Sequence, residues 1–113
     1  MLDEMTRFTE QNWLRFRLHN KKTTIRVNPL SPGLHKCLGG PRFKPIRLGT
    51  IEAYAVKDTK YVMQLTVEDA VNDGFDSLQD LLVELAHRNP KLTTLTQVHI
   101  QPVRVVEDLL EVG

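Results

Sequence analysis

The stretch Asn20–Asn28, "NKKTTIRVN", gathers two lysines, two threonines and an arginine around one isoleucine. Side chains alternate across a strand, so an extended chain from residue 22 puts Lys22, Thr24 and Arg26 on one face and Thr23, Ile25 and Val27 on the other. Ile25 and Val27 would then anchor the strand in a core. A cation, a hydroxyl and a second cation stand side by side on the opposite surface. Like charges in that arrangement repel, and they call for an anion from the protein or from a ligand. The plain alternative is a solvated strand face, since exposed charge is the rule. Further along, Lys36, Arg42, Lys44 and Arg47 extend the basic character. With Lys22 and Arg26 they could form a rim for phosphates, and Phe43 or Tyr54 could stack on bases.

Other chemistry is sparse. Cys37 is the only cysteine, which excludes an intrachain disulfide and a paired-cysteine zinc site. Its neighbour Lys36 could lower the thiol pKa, but no base is placed beside it, so it reads as incidental. His19, His35, His87 and His99 lack ligand spacing, and no metal or other cofactor is expected. With 15 basic and 14 acidic residues the net charge is +1, so any affinity for nucleic acid must come from local clustering.

Thr9 can cap a helix through "EQNWLRFRLHN", with Phe8, Leu14 and Leu18 near one face, Trp13 as a core or rim anchor, and Asn20 at the end. The β-branched "TTIRVN" is the first predicted strand. Residues 28–45 hold four prolines and three glycines, which predicts a long irregular loop over 28–46. Strands are expected at "IRLGTIEAYAV" and "KYVMQLT". Thr66 with Asp69, and Ser77 with Asp80, have capping-box spacing and open two helices; the second carries a core stripe of Leu78, Leu81, Leu82 and Leu85. The strand "TQVHIQPVRVV" closes the chain, with Pro102 marking an edge or bulge, and the tail 107–113 is a last helical turn or frayed.

This order is α+β with antiparallel pairing, and it favours a small, partly closed barrel with helices at one side. The 113 residues fit a single domain, 1–113. No apolar run reaches membrane-spanning length and "MLDEMTRF" lacks the features of a signal peptide, so the expected location is the cytoplasm. The last strand could be an exposed edge for dimerisation, though the pattern alone assigns no oligomeric state.

The combination of "KKTTIR" after a helix with "LTVEDAVNDGFDSLQDLLVEL" and a closing strand resembles the ASCH domain, a family of the PUA-like superfamily, from about Phe8 to Val105. The resemblance implies a small mixed or antiparallel β-barrel of about five or six strands flanked by helices, with a cleft for RNA or a nucleotide-like ligand. One branch, the bacterial acetylcytidine amidohydrolases, is similar in the lysine-to-arginine block. Its lysine, threonine and acid roles fall on Lys21, Thr24 and Asp73 when "TIR" is aligned without gaps. Strand parity makes Lys22 the neighbour of Thr24 instead, so both lysines stay in play. The chain departs from that branch at Asp73, one methylene shorter than the glutamate expected before the glycine, and in the longer segment "KCLGGPRFKP". RNA or nucleotide binding is the first expectation, deacetylation of an acetylcytidine-like nucleoside the second, and a protein-interaction role the third.

Overall fold

The computed structural model describes residues 4–108. Two strand–helix groups share one long strand. Glu4–Arg7 forms β1, and Thr9 then caps α1 (Glu10–Leu18) by accepting the Asn12 N–H at 3.0 Å. Asn20 takes a left-handed conformation, φ 52°, which turns the chain out of the helix and into β2 (Thr23–Arg26). Next come β3 (Gly33–Gly39), β4 (Ile46–Ala53) and β5 (Asp58–Tyr61), a 3₁₀ turn over Val62–Gln64, α2 (Val67–Asn72), α3 (Leu78–Arg88) and β6 (Gln97–Asp108). Thr66 and Asp69 form the expected reciprocal cap of α2, and Ser77 caps α3 through the Asp80 N–H.

The sheet runs β1-β3-β4-β6-β2, with β5 also paired to β6. All pairings are antiparallel except that of β1 with β3. β6 is the spine: its first half pairs with β5 and β2, its second half with β4. The exchange occurs around Pro102, which has no N–H for a ladder. Next to it the buried Gln101 amide donates to the Leu30 and Tyr54 carbonyls and accepts from the Leu30 N–H.

Two apolar cores lie along this spine. Ile25, Val98 and Ile100 pack with Phe75, Leu81 and Leu85 of the α2–α3 side. Leu48, Ile51 and Val103 pack with Phe8 and Trp13 of the α1 side. The leucine stripe of α3 is therefore core at Leu81 and Leu85, with Leu78 and Leu82 partly buried against it. On α1 the stripe differs from expectation. Leu18 is exposed, whereas Trp13 is the expected core anchor, with Asn12 buried beside it and the indole donating to Asp108 Oδ1 at 3.0 Å.

Three further expectations need correction. The 28–46 segment is not one irregular loop: Gly33–Gly39 is β3, held because the buried His35 donates from Nε2 to the Ser31 carbonyl (2.6 Å) and shares a hydrogen bond with Thr6 Oγ1 through Nδ1 (2.8 Å). Glu107 and Asp108 continue β6, and the remainder of the expected tail lies outside the described residues. The α+β class with flanking helices holds, but the sheet is not closed into a barrel. Among the described residues no ladder joins β1 to β2, the two ends of its path. That gap is bridged by a side chain: Arg26 Nη2 donates to the Arg7 carbonyl at 3.3 Å.

Candidate functional site

The block from Lys21 to Arg26 builds two different charged environments. On one side, the Lys21 N–H returns to the Arg15 carbonyl and the Lys22 N–H to the Asn72 carbonyl, which holds the start of β2 against the end of α2. Gly74 follows, with φ 87°, and a Cβ there would lie 2.8 Å from Arg15 Cβ and 3.1 Å from Lys21 Cβ. Only glycine meets both demands, the left-handed backbone and the close approach. This turn delivers the Asp73 carboxylate to Lys21: Nζ to Oδ1 is 2.9 Å, and each side chain is 1% exposed. Lys21 Nζ also donates to the Asp73 carbonyl (3.2 Å) and stands 5.6 Å from the Phe16 ring centre, while Thr23 Oγ1 donates to Asp73 Oδ1 (3.0 Å). Burial outweighs the attraction between the partners. It pulls the Lys21 ammonium below the usual lysine range and pushes the Asp73 carboxyl above the usual carboxylate range.

Thus the structure brings Lys21 and Asp73 together, with Thr23 as the hydroxyl on the acid. Lys22 is exposed. Thr24 is 2% exposed and its hydroxyl oxygen accepts from Arg26 Nε at 3.1 Å, so the parity that paired Thr24 with Arg26 is observed. Lys21, Thr24 and Asp73 line none of the three principal cavities described below.

The other environment opens at the gap between β1 and β2. A cavity of about 440 Å³ is lined by Arg7, Arg26, Arg42 and Arg88, with Asn28 and Asn89 among their neighbours and no carboxylate in the lining. Arg26 lies 5.0 Å from the Phe8 ring centre, and burial, then the nearby Arg88 charge, lowers its pKa. Arg7 donates to the Gly40 carbonyl and so holds the turn that carries Arg42. Two further cavities adjoin this one. One of about 420 Å³ shares Arg7 and Arg88 and reaches Thr9 and Glu10; the other, about 360 Å³, shares Val27, Arg88 and Asn89 and continues to Pro90 and Leu92. Arg88 is common to all three, so the cavities adjoin around its side chain, with the arginine-lined one sharing further residues with each of the others; together they are called the groove.

Of the basic residues singled out in the sequence, Arg26 and Arg42 line this groove, whereas Lys22, Lys36, Lys44 and Arg47 do not. Phe43 is 90% exposed at the tip of the same turn as Arg42. Arg7 and Arg88 were not readable as site residues: one lies in a strand with no sequence signature, the other in the last turn of α3, where a cation is ordinary. Cys37 is fully buried, and burial pushes its thiol up to about 12, opposite to the lowering that Lys36 alone would cause. Among the described residues no group of three or more His, Cys, Asp or Glu could hold a metal ion, and no helix is long and apolar enough to cross a membrane.

This open sheet with its flanking helices is the fold of an ASCH domain. The chain is similar over 92% of its length to the ASCH domain from Lactobacillus crispatus JV V101, with a TM-score of 0.57, 14% identity and 80% of that chain covered. Over its full length it is similar to a protein from Enterococcus faecalis V583 assigned to the family model DUF984, with a TM-score of 0.66, 13% identity and 86% of that chain covered. No family model and no curated protein matches the sequence.

Proposed function

We propose that the protein binds RNA or a nucleotide-like ligand in the groove between β1, β2 and the end of α3. The observation that carries this reading is the grouping of Arg7, Arg26, Arg42 and Arg88 around one cavity whose lining contains no acid. Guanidiniums in that setting are suited to phosphate oxygens, which they meet through paired N–H donors. The ASCH fold agrees with it. The test is titration of a labelled single-stranded RNA by fluorescence anisotropy at several salt concentrations. Binding should weaken steeply with salt, and Arg88→Gln and Arg42→Ala should each reduce both the affinity and the salt slope. Binding that ignores salt would reject phosphate recognition.

A second reading, hydrolysis of an acetylcytidine-like amide, draws on one observation: a buried amine, Lys21, whose ammonium form is disfavoured and which pairs with Asp73. In that reading Thr24 attacks the amide carbon while Lys21 takes its proton and passes it to the cytidine amine that leaves as the C–N bond breaks; water then hydrolyses the acetyl-threonine ester to free acetate, and Asp73 orients the lysine. Acetate release from acetylcytidine that disappears in Thr24→Ala would support it. Absence of turnover at high protein concentration would reject it.

A further inference from the structure

We infer that the ligand of the arginine groove is a nucleotide bearing a terminal di- or triphosphate, with its phosphates among the arginines and its base in the hollow formed by Val27, Pro90 and Leu92. This rests on the nucleotide-binding reading above and narrows it by charge density. Arg7, Arg26 and Arg42 have no carboxylate within ion-pair distance among the described residues. Arg88 has only Glu84, at 3.5 Å from its Nε. Three of the four guanidiniums around a single cavity of about 440 Å³ therefore have no carboxylate partner at contact distance. An internal phosphodiester brings one negative charge per nucleotide, and successive links are held apart by the sugars. A terminal phosphate alone carries about −1.5 to −2 at neutral pH, and a chain of two or three phosphates concentrates more charge in the same space. Arg26 and Arg88 line the same cavity, and after burial the Arg88 charge is the next cause that lowers the Arg26 pKa, a like-charge repulsion. A compact polyanion relieves it more fully than a lone diester.

The hollow beside the arginines supplies the other half of the recognition. Its cavity of about 360 Å³ meets the charged one at Val27, Arg88 and Asn89, and its wall is partly apolar. A base seated against Val27, Pro90 and Leu92 would place its edge near the Asn89 side chain, whose amide can both donate and accept. Asn89 Nδ2 donates to the Leu85 carbonyl at 2.9 Å, which fixes the side chain and leaves its oxygen as an acceptor for an exocyclic amine. Free nucleoside polyphosphate and the 5′-triphosphate end of an RNA present the same chemistry.

Isothermal titration of the whole protein, without divalent cations, distinguishes them. The probes are the four nucleoside triphosphates and their monophosphates, inorganic tripolyphosphate, and one short single-stranded RNA with a 5′-triphosphate or a 5′-hydroxyl. At least one nucleoside triphosphate should bind about tenfold or more tighter than its monophosphate, and Arg42→Ala, an exposed change, should shrink that ratio to about threefold. The same nucleotide should also exceed tripolyphosphate by about tenfold, because the apolar hollow contributes only when a base is present. Preference for the triphosphorylated RNA over the free nucleotide would assign the site to an RNA end; the reverse would assign it to a free nucleotide. Both support the inference. Equal binding of 5′-triphosphate and 5′-hydroxyl RNA, with triphosphates no better than monophosphates, would overturn it while leaving RNA binding intact. Tripolyphosphate as tight as every nucleotide would overturn the base hollow. Failure of all RNAs and nucleotides to bind would remove the parent reading as well.

Discussion

Two charged regions lie within six residues of each other, one just ahead of β2 and one at its end, and they are built on opposite principles. Lys21 and Asp73 are sealed: the ammonium group meets the carboxylate, a carbonyl and an aromatic face, and the carboxylate also receives Thr23. Arg26 is fixed by neutral acceptors only, the Thr24 hydroxyl and the Arg7 carbonyl, and faces a cavity shared with three other arginines. The first region spends its charge inside the protein, tying β2 to the end of α2. The second keeps its charge available. A buried pair with complete partners fits an architectural role, whereas clustered cations of which only Arg88 has a carboxylate partner among the described residues fit the phosphate site proposed above.

Breaking the sealed region should have the largest effect. Lys21→Met leaves a buried carboxylate without its cation and Asp73→Ala leaves a buried ammonium without its anion, so each should cost about 3–5 kcal/mol in urea unfolding. The double change Lys21→Met with Asp73→Leu should recover most of that loss, because both charges lose their desolvation cost together. The pH dependence sharpens the point. With Asp73 raised, the native state binds more protons than the unfolded state, so this group's contribution is greatest below the ordinary carboxylate pKa near 3.8 and is lost as pH rises through the elevated one. With Lys21 lowered, the native state binds fewer protons, so its contribution is present above 10.5 and is lost as pH falls through the depressed value. Wild type minus double variant should therefore be least favourable at intermediate pH and improve toward both extremes. A difference that peaks near neutrality would show that attraction within the pair exceeds its desolvation.

Gly74→Ala attacks the same region through the backbone. A methyl group there needs a left-handed residue and meets Arg15 and Lys21, so the variant should lose roughly 2–3 kcal/mol. If the strain instead releases the turn, Asp73 retreats from Lys21 and the pH signature of the pair fades with it.

How much of this was readable in the sequence follows the range of the interactions. Caps depend on neighbours, so Thr9, Thr66 and Ser77 were correctly placed at helix starts. Parity within β2 depends on one strand, so the Thr24–Arg26 pairing was readable too. Glu4–Arg7 became a strand only because β3 offers a parallel partner at a distance, with Thr6 bonded to His35 across 29 positions. β3 was hidden by the glycines at its two ends, Gly33 and Gly39, and by the prolines of the segments flanking it. The arginine groove is assembled from four separate segments, and its missing members, Arg7 and Arg88, sit in the two whose placement depends on the whole fold. Asp73 was reached through the family resemblance, and the structure adds that Thr23 is the threonine bonded to it.

The smallest effects separate the groove from ordinary surface charge. Arg42 and Lys44 are both exposed and lie two positions apart on one turn, yet only Arg42 lines the cavity. Both alanine variants should leave the unfolding midpoint unchanged, since neither side chain is buried. Arg42→Ala should reduce the logarithmic salt slope of RNA binding by about one and weaken it across all sequences, as expected for a phosphate contact. Lys44→Ala should change affinity by only about twofold through its long-range field, and that change should vanish near physiological salt, where the screening length falls to about 8 Å. If the two variants behave alike, charge on the turn matters only in bulk and the cavity does not define the contact. If Arg42→Ala alone alters the slope, the contrast between held and merely exposed cations extends from stability to binding.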